Sequence, residues 1–134
     1  MKIIFIPILF VAFAIVNTKA DMNTITFAID ACLKQFHVSK TELNNYYANK
    51  NIEFSDTLKC HTKCVLETEN LFKNGKLDVE QFVKNALMAP AQKNHEAEIN
   101  KIVKDCANQE GVNDCDTAFK VGRCLYGHHN LFLH

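Results

Sequence analysis

The sequence CHTKC at residues 60–64 places two cysteines one helical turn apart, within a segment of helical periodicity. On a helix their Cβ atoms lie about 5–6 Å apart, whereas a disulfide needs about 3.5–4.5 Å. Cys115 and Cys124 are about 13.5 Å apart along a later predicted helix, so they do not pair either. Six cysteines allow 15 pairings, and these two exclusions leave ten open. The segment around CHTKC is therefore bonded to two other parts of the chain.

A metal or redox centre is the functional alternative for this stretch. Structural zinc sites use four Cys or His ligands in compact clusters, typically spaced C-x2-C. Here the spacing is C-x3-C without a second compact cluster, and no thioredoxin-type C-x-x-C occurs. We therefore expect no metal ligands, no cofactor and a disulfide framework.

The N-terminus predicts export. One lysine, an apolar run of 14 residues from Ile3 to Val16 and a small residue at Ala20 are typical of a signal peptide spanning residues 1–20. The run is too short for a membrane span, so we expect no membrane insertion. All six cysteines lie in the remaining domain, residues 21–134, as in small secreted disulfide proteins. The predicted location is extracellular.

The charge of this domain excludes one class of partner. Without Lys2 and Lys19, 13 Lys and Arg face 15 Asp and Glu, a net charge of −2. Nucleic-acid binding requires a basic face, and the sequence has none. We expect no nucleic-acid partner.

Capping residues divide the domain into six short helices. Asn23 or Thr24 starts the first and Ser39 the second, where Glu42 completes a capping box. The third helix is predicted to begin at Ser55 or Asp56 and to run to about Phe72. The fourth is predicted to begin at residues 78–81 and to end near Pro90. The fifth is predicted to span residues 91–109 and the sixth residues 114–126. Strand signals are scarce.

The sixth helix is apolar on two sides and is predicted to be the central, most buried one. Phe119 lies on one side and Val121 and Leu125 lie on the other, with a narrow polar strip of Asp116, Lys120 and Arg123. On the third helix, Leu66 is an apolar exception on the polar face.

Enzymatic motifs are missing. NHEAEI at residues 94–99 has Ile99 where a zinc protease has its second histidine. No P-loop, Rossmann or G-x-S-x-G motif occurs, and six paired cysteines leave no free thiol nucleophile. We expect no catalytic residues.

The cysteine spacing C-x27-C-x3-C-x41-C-x8-C-x8-C resembles that of insect odorant-binding proteins, the pheromone and general odorant-binding superfamily. NGKLDVEQF at 74–82 and NDCDTAFKVGRC at 113–124 are similar to the family's usual sequences. The resemblance implies an all-α fold: a compact bundle of about six short helices around a hydrophobic cavity. It also implies three interlaced disulfides, Cys32–Cys64, Cys60–Cys115 and Cys106–Cys124.

The function implied by the resemblance is that of a secreted carrier for odorants, pheromone-like lipids or fatty acids, as in olfaction. The alternative is a structural or signalling protein of saliva, seminal fluid or haemolymph that acts through its surface. The implied partners are a small hydrophobic ligand and a membrane receptor, and the expected state is a monomer or weak dimer. The predicted ligand contacts are Leu58, Phe72, Phe82, Leu87, Phe119, Tyr126 and Phe132.

Three histidines are candidate pH-sensitive residues: His61, His128 and His129. His61 is interpreted as a core histidine bonded to a backbone carbonyl rather than as a polar contact for a ligand. The tail 128–134 contains Leu131, Phe132 and Leu133 and is predicted either to fray or to cover the cavity. If it covers the cavity, ligand affinity should fall between about pH 7 and 5.

Overall fold

The computed structural model describes residues 20–128, with side chains from residue 27 onward. Within that range the chain forms six α-helices: α1 Ala20–Leu33, α2 Lys40–Tyr47, α3 Asp56–Thr68, α4 Val79–Ala86, α5 Glu96–Ala107 and α6 Asp114–Gly127. A hairpin of β1 Phe72–Lys73 and β2 Lys76–Leu77 follows α3, and a 3₁₀ helix, Pro90–His95, precedes α5. The predicted all-α class is confirmed. No helix in the described range is long and apolar enough to cross a membrane.

Side-chain caps start four of the helices. The side chains of Ser39, Ser55 and Asp78 accept hydrogen bonds from backbone N–H groups in the first turns of α2, α3 and α4. Asn113 does the same for α6, one residue before the predicted cap Asp114. Only one half of the predicted capping box forms at Ser39: the Ser39 hydroxyl accepts a hydrogen bond from the Glu42 N–H. The Glu42 carboxylate accepts hydrogen bonds from the N–H and the hydroxyl of Ser55 instead. Glu42 thereby links the starts of α2 and α3.

Several predicted boundaries are wrong. α1 already includes Ala20, the first described residue, so neither Asn23 nor Thr24 starts it. α4 ends at Ala86, one turn before Pro90. In place of the predicted helix 91–109, the chain forms the 3₁₀ helix and then α5. Pro90 suits the first turn of the 3₁₀ helix, and no side chain caps the start of the 3₁₀ helix or of α5.

The prediction that α3 extends to Phe72 is also wrong. α3 ends in a Schellman motif: Asn70 adopts φ +60°, its N–H bonds to the Glu67 carbonyl, and the Leu71 N–H bonds to the Leu66 carbonyl at 2.8 Å. This motif brings Leu66 and Leu71 to the same side of the chain, and both join the core. The predicted exception Leu66 is therefore the hydrophobic contact of a helix end.

Asn74 and Gly75 form the turn of the hairpin that follows. Both have positive φ, +54° and +75°, as the two-residue turn that matches strand twist requires. Phe72 then pairs with Leu77 across the hairpin, and both side chains are buried. The hairpin carries the chain from α3 into α4.

Among the described residues, the core contains two hydrophobic clusters on opposite sides of α6. The aliphatic cluster is built from the end of α3, the hairpin, α4, α5 and one side of α6: Leu71, Leu77, Val83, Ile99, Val103, Cys106, Val121 and Leu125. The aromatic cluster is built from α2, α3 and the opposite side of α6: Tyr46, Phe54, Leu58 and Phe119. The prediction of a central sixth helix, apolar on two sides, is confirmed.

Three disulfides connect the helices. Cys32–Cys64 joins α1 to α3, Cys60–Cys115 joins α3 to α6, and Cys106–Cys124 joins α5 to α6. These are the three pairs that the family resemblance implies. α3 is bonded to two other helices, as its two cysteines one turn apart require.

Candidate ligand-binding site

The predicted ligand contacts fall on both sides of α6. Leu58 and Phe119 belong to the aromatic cluster, and the half-buried Tyr126 reaches it through ring contacts with Tyr46 and Tyr47. Phe82 and Leu87 pack against the aliphatic cluster from α4. Phe72 is buried in β1, and Phe132 lies outside the described residues. Their role as ligand contacts stays a prediction.

Tyr46 is the centre of the aromatic cluster. Its ring centroid lies 5.2 Å from that of Tyr47, 6.0 Å from Phe54, 5.8 Å from Phe119 and 6.5 Å from Tyr126. Burial raises the pKa of Tyr46 far above its usual range, and burial raises that of Tyr47 to about 12. Both phenols are therefore neutral at physiological pH, and the cluster presents an uncharged wall.

Two cations border this cluster. The Arg123 guanidinium lies 5.2 Å from the Phe54 ring centroid and donates a hydrogen bond to the Lys50 carbonyl. The Lys59 ammonium lies 5.4 Å from the Phe119 ring centroid. Such cation–π contacts stabilise the cluster from its edge.

Asp116 holds Lys59 in that position. It was predicted to lie on the polar strip of α6, but it is buried, with its carboxylate 3.2 Å from the Lys59 ammonium and 3.6 Å from that of Lys120. It also accepts a hydrogen bond from the Val112 N–H at 3.0 Å, the main cause of its lowered pKa. A partly buried ion pair between α3 and α6 therefore adjoins the Cys60–Cys115 bridge, and sequence position alone did not reveal it.

His61 is a core residue. It is 2% exposed, and its Nε2 lies 3.1 Å from the Ile29 carbonyl, to which it donates a hydrogen bond. Its predicted interpretation is confirmed, and the bond ties α1 to α3. Burial lowers its pKa, partly offset by this hydrogen bond, so the neutral imidazole is favoured.

The other candidate pH-sensitive histidines lie at the C-terminus. His128 is exposed and follows the last turn of α6. His129 and the rest of the predicted lid lie outside the described residues, as do residues 1–19 of the predicted signal peptide. The lid and the signal peptide stay predictions.

A pocket of about 380 Å³ opens beside α3, where two disulfides meet. Its lining residues are Gln35, Phe36, Cys60, Lys63, Cys64, Glu67, Thr68 and Cys115. None of the six predicted ligand contacts within the described residues borders it. The internal cavity therefore stays a prediction, and this pocket is a separate, open feature.

Sequence reasoning also missed Gln92. This side chain is 2% exposed, although its neighbours in the 3₁₀ helix are exposed, and its Oε1 is buried without a hydrogen-bond partner. No feature of the local sequence APAQKNH distinguishes it from the polar residues around it. An uncharged acceptor of this kind can orient a bound molecule that carries a donor.

The described residues offer little reactive chemistry. All six cysteines are disulfide-bonded, and no group of three or more His, Cys, Asp or Glu residues within 20–128 could hold a metal ion. The two clusters consist of apolar side chains and neutral phenols, with the charged Lys59, Arg123 and Asp116 beside the aromatic cluster.

Comparison with solved structures finds the same fold in insect proteins. Odorant binding protein 4 of Chrysopa pallens is 23% identical with a TM-score of 0.68, over 84% of this chain and 94% of that chain. Odorant binding protein 5 of Apis mellifera is 21% identical with a TM-score of 0.69, over 87% and 95%. A fatty acid binding protein from the oral disk of the blowfly Phormia regina is 22% identical with a TM-score of 0.61, over 83% and 93%.

Comparison with curated protein sequences gives no match. The model of the PBP/GOBP family matches residues 16–128, which include the six helices, the hairpin and all six cysteines. The chain belongs to the PBP/GOBP family, the pheromone and general odorant-binding proteins whose cysteine pattern its sequence resembles.

Proposed function

We propose that this protein is a secreted carrier that reversibly binds a small hydrophobic molecule in its interior and moves it through aqueous fluid. The observation that carries the proposal is the family match over residues 16–128. The similar fold of a fatty acid binding protein from Phormia regina supports an apolar ligand. The ligand class is a fatty acid, long-chain alcohol, ester or terpenoid.

The two clusters support an interior site because they provide apolar walls on both sides of one helix. Phe119 faces the aromatic cluster, while Val121 and Leu125 face the aliphatic cluster. A molecule held next to α6 would contact mainly apolar side chains and aromatic rings, so its apolar surface would leave water. This transfer from water is the driving force of the proposed binding.

The expected affinity follows from the size of such a ligand. Burying a chain of about ten to sixteen carbons yields about 8–13 kcal/mol at about 0.8 kcal/mol per CH₂. Several kcal/mol are lost because the ligand and the surrounding side chains give up motion. The remainder corresponds to a Kd around micromolar, which permits both uptake and release.

The disulfides have a mechanical role in this proposal. An interior that must accept a ligand forgoes part of the packing energy of a filled core. The bridges from α3 to α1 and α6, and from α5 to α6, keep the helices together whether or not the ligand is present. They offset the missing packing by restricting the unfolded chain.

Native mass spectrometry of the oxidised, delipidated protein tests the proposal with a panel of fatty acids, alcohols, esters and terpenoids. We expect one-to-one complexes with Kd values around micromolar for at least one class. Titration of Phe119→Ala should show at least tenfold weaker binding, whereas Phe27→Ala should bind as the wild type does. Phe27 is the matched control because its side chain is 70% exposed. A protein that binds none of these compounds would instead support a role of its outer surface.

A further inference from the structure

Gln92 lies in the segment that connects α4 and α5, two of the helices of the aliphatic cluster. The 3₁₀ helix Pro90–His95 packs against α5, and its Gln92 N–H donates to the Ala89 carbonyl at 3.0 Å. Ala91, Lys93 and Asn94 are exposed, while the side chain of Gln92 is 98% buried. This residue is therefore the one that the segment directs inward.

The buried amide is incompletely bonded. Gln92 Oε1 has no hydrogen-bond partner, and a buried acceptor without a partner lowers the stability of a protein. A leucine or methionine would fill a similar volume without this cost. The acceptor becomes favourable only when a hydrogen-bond donor arrives from outside the described chain.

The chemistry of the acceptor restricts the donor. A carbonyl oxygen accepts a hydrogen bond from a hydroxyl group, whereas an ester, an ether or a hydrocarbon has no hydrogen-bond donor to offer it. A carboxylic acid is ionised near pH 7 and then lacks the proton as well. An apolar molecule with a hydroxyl group matches both the acceptor and the flanking aliphatic cluster.

We propose that Gln92 is a specificity-determining residue that accepts a hydrogen bond from the hydroxyl group of a bound long-chain or terpenoid alcohol. The inference rests on the proposed carrier function and narrows its ligand class from apolar molecules in general to alcohols. The hydrocarbon part of the alcohol lies toward Leu87 and Ile99, which flank the segment and pack in the aliphatic cluster.

Two ligands of equal heavy-atom count test the inference: dodecanol, which has a donor, and methyl undecyl ether, which has none. In an interior without a free acceptor, the ether binds at least about tenfold more tightly, because the hydroxyl loses its bonds to water without replacement. We expect the wild type to bind dodecanol as tightly as the ether or more tightly. Ether binding at least tenfold tighter than that of dodecanol in the wild type overturns the inference without any variant.

Gln92→Met removes the acceptor while keeping the length of the side chain. We expect its dodecanol affinity relative to its ether affinity to fall about fivefold, the equivalent of one hydrogen bond. Gln109→Met is the matched control, because Gln109 is exposed, and its ratio should equal that of the wild type. An unchanged ratio in Gln92→Met means that Oε1 is satisfied by a water molecule, and it overturns the inference. If neither ligand nor any other apolar compound binds the wild type, the carrier function itself is wrong.

Discussion

The Cys60–Cys115 bridge offers the most direct test of how the disulfides hold the helices together. The double variant Cys60→Ala/Cys115→Ala removes the bond between α3 and α6 and leaves no unpaired cysteine. The two residues are 55 positions apart. The chain-entropy relation for a loop of this length predicts that the free energy of unfolding falls by about 4 kcal/mol.

The matched control is Cys106→Ala/Cys124→Ala. This bridge closes a loop of 18 positions, for which the same relation gives about 3 kcal/mol. It joins α5 to α6 and lies among aliphatic side chains, away from Phe119 and Leu58. The two double variants therefore lose comparable stability but loosen different sides of α6.

Urea unfolding monitored by circular dichroism measures both losses, and ligand titration at low temperature compares affinities while each variant is still folded. We expect the free energy of unfolding of both variants to fall by several kcal/mol. We also expect their m-values to exceed that of the wild type, because the unfolded chain is looser without the bridge. If Cys60→Ala/Cys115→Ala keeps its unfolding free energy within 1 kcal/mol of the wild type and binds ligands as tightly, the argument that the bridges hold the walls is wrong.

Three further outcomes follow from buried groups and close contacts. Because the pKa of His61 is lowered in the fold, the unfolded chain binds the proton more readily, so stability is complete above about pH 6.5 and declines below it. His61→Gln should flatten this decline in urea titrations at pH 7 and 5. Asp116→Asn should lower the free energy of unfolding by about 2 kcal/mol at pH 7, because a buried charged acceptor is lost. The pKa of Asp116 is lowered in the fold, so the wild type should lose this advantage over the variant in acid, where its carboxylate is protonated. Gly122→Val should cost about 2 kcal/mol, because an added Cβ would lie only 3.0 Å from the Tyr46 hydroxyl, whereas Gly127→Val meets no atom within 4 Å and should unfold like the wild type.

The sequence predicted those parts of the fold that depend on local chemistry. Ser39, Ser55 and Asp78 start helices because a short polar side chain can satisfy backbone N–H groups within three residues. The exclusion of a Cys60–Cys64 bond follows from helix geometry alone. The two apolar sides of α6 could likewise be identified from periodicity, and they predicted its central position.

The end of α3 was not predicted, because two signals conflict there. Leu71 and Phe72 continue the helical periodicity, whereas Asn70 and the Asn74-Gly75 pair favour positive φ. The hairpin forms because its turn and the Schellman motif together satisfy the backbone and bury Leu71 and Phe72. Tertiary packing thus decided between two locally acceptable conformations.

The sequence also did not predict which polar residues are buried. Asp116 and Gln92 resemble exposed residues of any amphipathic segment, and their surroundings come from other elements of the fold. Lys59 pairs with Asp116 across the interface of α3 and α6, a contact between residues 57 positions apart in the sequence. Hydrophobic periodicity carries no information about such long-range pairs.

The position of Cys60 and Cys64 on one face of α3 has a consequence for how the chain oxidises. Once the first of them has formed a bond, the remaining thiolate lies one turn away from that bond and can attack it. Disulfide exchange then competes with closure of the second bridge, and the competition ends only when α1 and α6 have both docked on α3. Production of homogeneous protein therefore depends on conditions that allow thiols to exchange, such as a glutathione buffer or a disulfide isomerase, rather than on rapid oxidation by air.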